Sequence, residues 1–180
     1  MSEPHNPPAV ERVLTFLNSR GVGFDAGVDL LAAPESARRL LADLGLPAPA
    51  DIEGEQLEQL RRLREAMSDA LHERGDLAEA RAALDAIART RHFRYRFESD
   101  LHVRLEAVDP DAAAQLIEDV AGLIGEAKWE RVKSCANARC GAIFYDPTRA
   151  KTRRWHAYDI CGNKSNVAAF RQRASEGGAS

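Results

Sequence analysis

The sequence predicts an α+β protein: a predominantly α-helical N-terminal domain with a small β-hairpin, followed by a small module closed around a metal ion. Three observations predict it. Apolar residues recur at spacings of three and four through most of residues 8–88. A period of two replaces that pattern between residues 93 and 105. All three cysteines of the chain then fall between residues 135 and 161.

The elements follow in chain order. "PAVERVLTFLNSRG" places Val10, Val13, Leu14 and Leu17 on one helical face, with Gly21 as the stop. "PESARRLLADLGLP" has Pro34 in the first turn and ends at Gly45, with Pro47 beyond it. "EQLEQLRRLREAMSDALH" repeats Leu57, Leu60, Leu63, Met67 and Leu71, an amphipathic helix. "DLAEARAALDAIA" is an alanine-rich helix built on Leu77, Leu84 and Ile87. In "HFRYRFESDLHVRLEA", Phe93, Tyr95 and Phe97 alternate with polar residues, as do Leu101, Val103 and Leu105, which predicts a β-hairpin with one face buried. "DPDAAAQLIEDVAGLIGEAK" returns to helix, with Asp109 as the expected N-cap, Pro110 at the first position and Leu116, Ile117, Val120, Leu123 and Ile124 facing inward. The closing "ASEGGAS" is small and polar and is expected to fray.

With 180 residues, 44% of them hydrophobic, the chain suits one domain plus a small appendage. No run approaches the ~18 apolar residues of a membrane span. The start, "MSEPHNPPAV", lacks the positive end and apolar core of a signal peptide. A cytoplasmic protein is therefore expected, where thiols stay reduced and clustered cysteines serve as metal ligands or catalytic groups.

The net charge of −3 hides a division. Residues 1–127 hold 24 acids against 14 arginines and no lysine, a balance of −10, whereas residues 128–173 hold 11 Lys and Arg against 3 acids, a balance of +8. The change of composition near Ala127 predicts domains at 1–127 and 128–173, with a tail at 174–180. A basic module on an acidic body points to an anionic partner.

In the second segment Cys135, Cys140, His156 and Cys161 are separated by four, fifteen and four residues. Zinc takes four thiolate or imidazole ligands in a tetrahedron, and two close pairs joined by a loop supply that geometry. The intervening "GAIFYDPTRAK" suits a loop or small hairpin, with Gly141 turning beneath the metal, Asp146-Pro147 making a tight turn, and Phe144, Tyr145 and Trp155 forming a miniature core. Four protein ligands imply a closed, structural site with one zinc ion. The alternatives are separate buried thiols beside a surface histidine, or a catalytic thiol. Against the last, no Cys-x-x-Cys pair is present and His156 stands where a fourth ligand is needed. His5, His72, His92 and His102 read as surface residues. No nucleophile with its base, phosphate loop or dinucleotide fingerprint appears, so the sequence makes no case for an enzyme.

The run "CANARCGAIFYDPTRAK…RRWHAYDICGNK" resembles the CGNR zinc finger, whose pattern is Cys-x4-Cys, Phe-x-Asp, Arg-Arg-Trp-Cys and Cys-Gly-Asn-Arg. The match takes in Cys135, Cys140, Phe144, Asp146, Arg153, Arg154, Trp155, Cys161, Gly162 and Asn163. "VLTFLNSR" and "LEQLRRLREAMSDAL" are similar to the ABATE domain that usually precedes this finger. The resemblance implies a stress-induced transcription regulator whose finger binds DNA. His156 stands where the family has cysteine, Lys164 where it has arginine, and Asn166 where it commonly has lysine. Zinc tolerates the first, whereas the second loses a planar two-pronged donor.

The sequence therefore predicts a DNA-binding regulator. Arg149, Lys151, Arg153, Arg154, Asn163, Lys164, Arg171 and Arg173 are the expected nucleic-acid contacts, the last four on a helix starting near Gly162. The expected partner is double-stranded DNA, and a homodimer is expected because paired half-sites multiply specificity. The alternative is a zinc-stabilised module that binds protein or RNA, its basic surface otherwise solvating the finger or docking on the acidic body. Asn18 and Arg20 either line an effector pocket or end the first helix, and no effector is identified.

Overall fold

The structure, a computed structural model, describes residues 6–22, 27–49, 52, 54–72, 77–137 and 139–163. Five α-helices form the body: α1 (Pro8–Asn18), α2 (Pro34–Asp43), α3 (Gly54–Leu71), α4 (Leu77–Ala88) and α5 (Ala112–Gly125). Pro8 and Pro34 open α1 and α2, where their missing N–H costs nothing. Gly45 closes α2 with φ 65°, which lets Leu46 N–H reach back to Leu41 O at 2.8 Å.

α1 packs between α3 and α5, and α4 lies against both α3 and α5. Val10, Val13, Phe16 and Leu17 of α1 meet Leu60, Leu63 and Met67 of α3 and Leu116, Val120 and Leu123 of α5 in one buried cluster. Each such side chain contributes about 1.5–3 kcal/mol of burial. Two bidentate ion pairs set the angles between elements. Arg12 of α1 holds Asp119 of α5 at 2.7 and 2.6 Å. Arg64 of α3, itself buried, holds Asp29 at 2.5 and 2.7 Å and also donates to Ser19 Oγ at 3.1 Å.

Expectations for α5 and for the hairpin need correction. Ile124, expected to face inward, is 54% exposed, one position beyond the buried stripe that ends at Leu123. The N-cap of α5 is Asp111, whose side chain accepts from Ala114 N–H at 2.7 Å, not Asp109. Both aspartates suit the local pattern, but Arg91 reaches across from the end of α4 and grips the Asp111 carboxylate at 2.6–3.0 Å, which places that residue at the helix start. The hairpin forms where predicted, as β1 (Phe93–Phe97) antiparallel to β2 (Val103–Ala107) with Tyr95 opposite Leu105. Its apolar face is buried only at the root, where Phe93, Leu105 and Ala107 meet the core. The outer half of that face stays exposed, because α5 backs β2 and nothing among the described residues covers the tip.

After α5 the chain passes Ala127 at φ 53° and a 3-10 turn at Trp129–Arg131 into a second antiparallel pair, β3 (Val132–Ser134) with β4 (Ile143–Tyr145). Val132 and Ile143 belong to the same buried cluster as the helices, and Trp129 and Tyr145 pack against it. Asn18, at the end of α1, clamps the β4 backbone from both sides. Its Nδ2 donates to Ile143 O and its Oδ1 accepts from Ile143 N–H, each at 2.8 Å. Asn18 thus acts as a one-residue strand partner for β4, and neither as a simple helix end nor as a pocket wall.

Candidate metal centre

The β3–β4 hairpin carries its first two metal-ligand candidates in its turn. Cys135 directly follows β3, and its N–H bonds Ala142 O at 2.8 Å; Cys140 N–H bonds Asn137 O at 2.8 Å. Gly141 adopts φ 66°, a left-handed conformation that glycine takes without penalty, and so turns the chain back into β4. The first strand of this hairpin precedes Cys135, so the segment between the ligand pairs supplies one strand rather than a whole hairpin. His156 and Cys161 arrive on the far side. Cys161 lies in a π-helical turn, Tyr158–Gly162, with its N–H bonded to Ala157 O at 2.9 Å. Gly162 is needed there because a Cβ at that position would sit 2.8 Å from the Tyr158 ring.

The ligand atoms of Cys135, Cys140, His156 and Cys161 all lie within 4.8 Å of one another. His156 turns Nδ1 inward, 3.2 Å from the Cys140 sulfur and 3.4 Å from that of Cys161. A tetrahedron of zinc–ligand bonds of about 2.0–2.3 Å has edges of about 3.5–3.8 Å, so these four groups fit one zinc ion. The donor chemistry agrees. Burial raises the Cys140 thiol pKa, and burial together with the neighbouring Cys140 and Cys135 sulfurs pushes Cys161 up to about 12. A cation at the centre would stabilise the thiolates and so release these protons. Burial, then the charge of Arg153, lowers the His156 pKa, which keeps the imidazole neutral with a lone pair to offer.

The group that organises this module is Asp146, which the sequence marked as a turn residue and as part of the CGNR pattern, without a role. It is fully buried, and its carboxylate accepts from Lys133 Nζ at 2.8 Å, Thr148 N–H at 3.0 Å, Thr148 Oγ1 at 2.5 Å and Arg153 N–H at 2.9 Å. Burial alone raises its pKa, but these donors together outweigh burial and hold the carboxyl well below the usual aspartate range. Asp146 therefore ties β3 and β4 to the loop that delivers His156. A carboxylate followed by Thr two residues on is a local signal for an Asx turn; the Lys133 and Arg153 contacts carry no such signal.

His72, expected at the surface, instead bridges body and finger. Its Nδ1 faces Ser68 O at 2.6 Å and its Nε2 faces Gly141 O at 3.1 Å. The expected miniature core is shared with the body as well. Tyr145 packs on the core that includes the helices, Trp155 packs with Val22 on the cysteines, and Phe144 lies under the Arg153 guanidinium at 5.2 Å.

The expected nucleic-acid residues divide by what already holds them. Arg153 donates to the backbone oxygens of Trp155 and His156, and Lys151 pairs with Glu130, so both are engaged inside the finger. Asn163 donates to Asp159 O at 3.1 Å. Arg149 is exposed, and Arg154 is exposed over the Trp155 ring at 5.3 Å. Arg139, on the first ligand turn, is a further exposed cation beside the metal centre that was missing from the expected set. Lys164, Arg171 and Arg173 lie outside the described residues, as does most of their expected helix.

The fold and the site together define an α+β zinc-finger protein, in which one structural zinc closes a β-hairpin against a helical body. No helix among the described residues is long and apolar enough to cross a membrane. Residues 131–174 match the CGNR zinc finger, and residues 11–127 match ABATE, described as "Putative stress-induced transcription regulator". The chain belongs to the ABATE family, with the CGNR finger following in the expected order. No curated protein matches it.

Proposed function

We propose that this protein is a DNA-binding transcription regulator whose zinc centre fixes a basic surface for contact with duplex phosphate. The observation that carries the reading is the placement of Arg149 and Arg154 on the loop leading into His156, both exposed, within a segment of net charge +8. Arg139 adds a third cation on the opposite ligand turn. Because Asp146 and the four ligands fix that loop, the cations are held in place before any partner arrives, which lowers the ordering cost of binding. Arg153 has a different role in this reading: it supports the loop, and its charge is committed to backbone oxygens.

The test is a fluorescence-anisotropy titration of zinc-loaded protein against mixed duplex DNA at several salt concentrations. Each phosphate contact steepens the log–log salt dependence by about 0.9. The double change Arg149→Ala/Arg154→Ala is expected to weaken binding on all duplexes alike and flatten that slope by about two contacts, with bound zinc unchanged. Absence of duplex binding at low salt would refute the reading and move the finger to a protein or RNA partner.

A further inference from the structure

The β1–β2 hairpin carries its apolar side chains on one face, because Phe93, Tyr95 and Phe97 stand opposite Ala107, Leu105 and Val103. The root of that face continues the core. Beyond it, Tyr95, Phe97 and Val103 are 74%, 70% and 54% exposed, and Leu101 in the turn is 82% exposed. The reverse face is charged and satisfied within itself. Glu106 binds Arg94 at 2.8 Å and Arg96 at 3.0 Å, Glu98 faces Arg104 at 3.6 Å, and Asp100 holds His102 at 2.8 Å. The charge of the hairpin therefore sits on one side and an exposed apolar surface on the other.

The area of that surface decides what it is for. With aromatic side chains of about 150–250 Å² each, the four exposures amount to roughly 500 Å² of apolar surface, towards the upper end of the largest patch on a typical monomer, which is often functional. We propose that this face docks on the same face of a second copy of the chain across a two-fold axis, making the hairpin a dimerisation arm. Two such patches remove roughly 1,000 Å² from water, the least area that a specific, well-matched interface has to clear and the size of a weak, reversible dimer. A face without charge offers no contact to duplex phosphate, whereas an identical apolar face complements it without any buried ion.

The edges of the hairpin keep the association closed at two. Ala107 N–H on the outer edge of β2 is taken by Glu118 Oε1 of α5 at 2.5 Å. Arg94 and Arg96 along β1 oppose edge-to-edge growth of the sheet. The face is left as the docking element.

Sedimentation equilibrium of the zinc-loaded full chain, without DNA, tests this independently of the DNA reading. The expected result is a dimer with a dissociation constant in the micromolar range or tighter. Phe97→Asp and Tyr95→Asp are each expected to weaken it about tenfold or more. Both positions are exposed in the single chain, so circular dichroism and bound zinc are expected to stay as in the parent; Phe97→Ser serves as a milder change should either aspartate disturb the hairpin. Leu77→Asp, at a residue of α4 that is 73% exposed, is the control and leaves the dimer intact. A chain that stays monomeric at hundreds of micromolar, or a dimer that survives Phe97→Asp, Tyr95→Asp and Phe97→Ser alike, overturns the proposal.

Discussion

Asp146→Asn keeps the size and shape of the side chain and changes only what its two terminal atoms accept. In the native protein one oxygen takes both Thr148 donors and the other takes Lys133 Nζ and Arg153 N–H. An amide retains one accepting oxygen, so in either orientation its NH2 faces a backbone N–H donor, and the ion pair with Lys133 is lost. A buried donor left without an acceptor costs about 1–3 kcal/mol, and breaking a buried ion pair costs about 3–5 kcal/mol. Lys133 keeps 26% of its side chain in solvent and turns to water, which places the total near the lower end, about 3 kcal/mol. That cost falls on residues 146–156, the loop that carries His156 to the metal. Loss of such a supporting contact typically weakens a metal site about 10–100-fold. The assay is zinc transfer to a competing chromogenic chelator, with far-UV circular dichroism to follow the helices of the body. Faster zinc transfer with the helices retained is expected. Zinc affinity within twofold of the parent would refute the assignment of Asp146 as the organiser of the finger.

Asn18→Ala removes both bonds to Ile143 and leaves a buried N–H and C=O of β4 unpaired, at an expected cost of about 2–4 kcal/mol in urea unfolding; a change below about 0.5 kcal/mol would show that β4 does not depend on α1. Asp29→Asn removes the anion held by buried Arg64, and with Asp29 partly solvated the expected loss is about 2 kcal/mol near neutral pH. Hydrogen bonding to Arg64 lowers the Asp29 pKa, so its contribution is fully present above the ordinary aspartate range, about 4, and is lost as pH falls through the lowered native value. The stability gap between parent and variant is therefore expected to stay constant from about pH 7 to 5 and to narrow below about 4, as read from denaturant midpoints at each pH; a gap independent of pH would remove Asp29 from the acid response.

Much of this protein follows from neighbours in the chain. A spacing of three and four places Leu57, Leu60, Leu63 and Met67 on one helical face whatever lies opposite, and prolines at helix starts and Gly45 at a helix end act through their own backbone. The ligand set Cys135, Cys140, His156 and Cys161 is legible for a related reason: an ion a few ångströms wide demands close pairs of donors, and close pairs appear as short spacers.

Tertiary structure decided whatever depends on a partner far along the chain. Asp111 rather than Asp109 caps α5 because Arg91 lies beside it. Asn18 and His72 read as helix-end and surface residues until β4 and Gly141 are brought to them from more than sixty positions away. Arg153 and Arg154 are adjacent, identical and both exposed, yet one donates to the backbone around His156 and the other lies over the Trp155 ring. The alternation in β1 and β2 states that an apolar face exists, but it is blind to what covers that face: α5 and the core at the root, and nothing among the described residues around Tyr95 and Phe97. Periodicity records the direction of a side chain along its own element; its neighbours belong to the packing of all elements together.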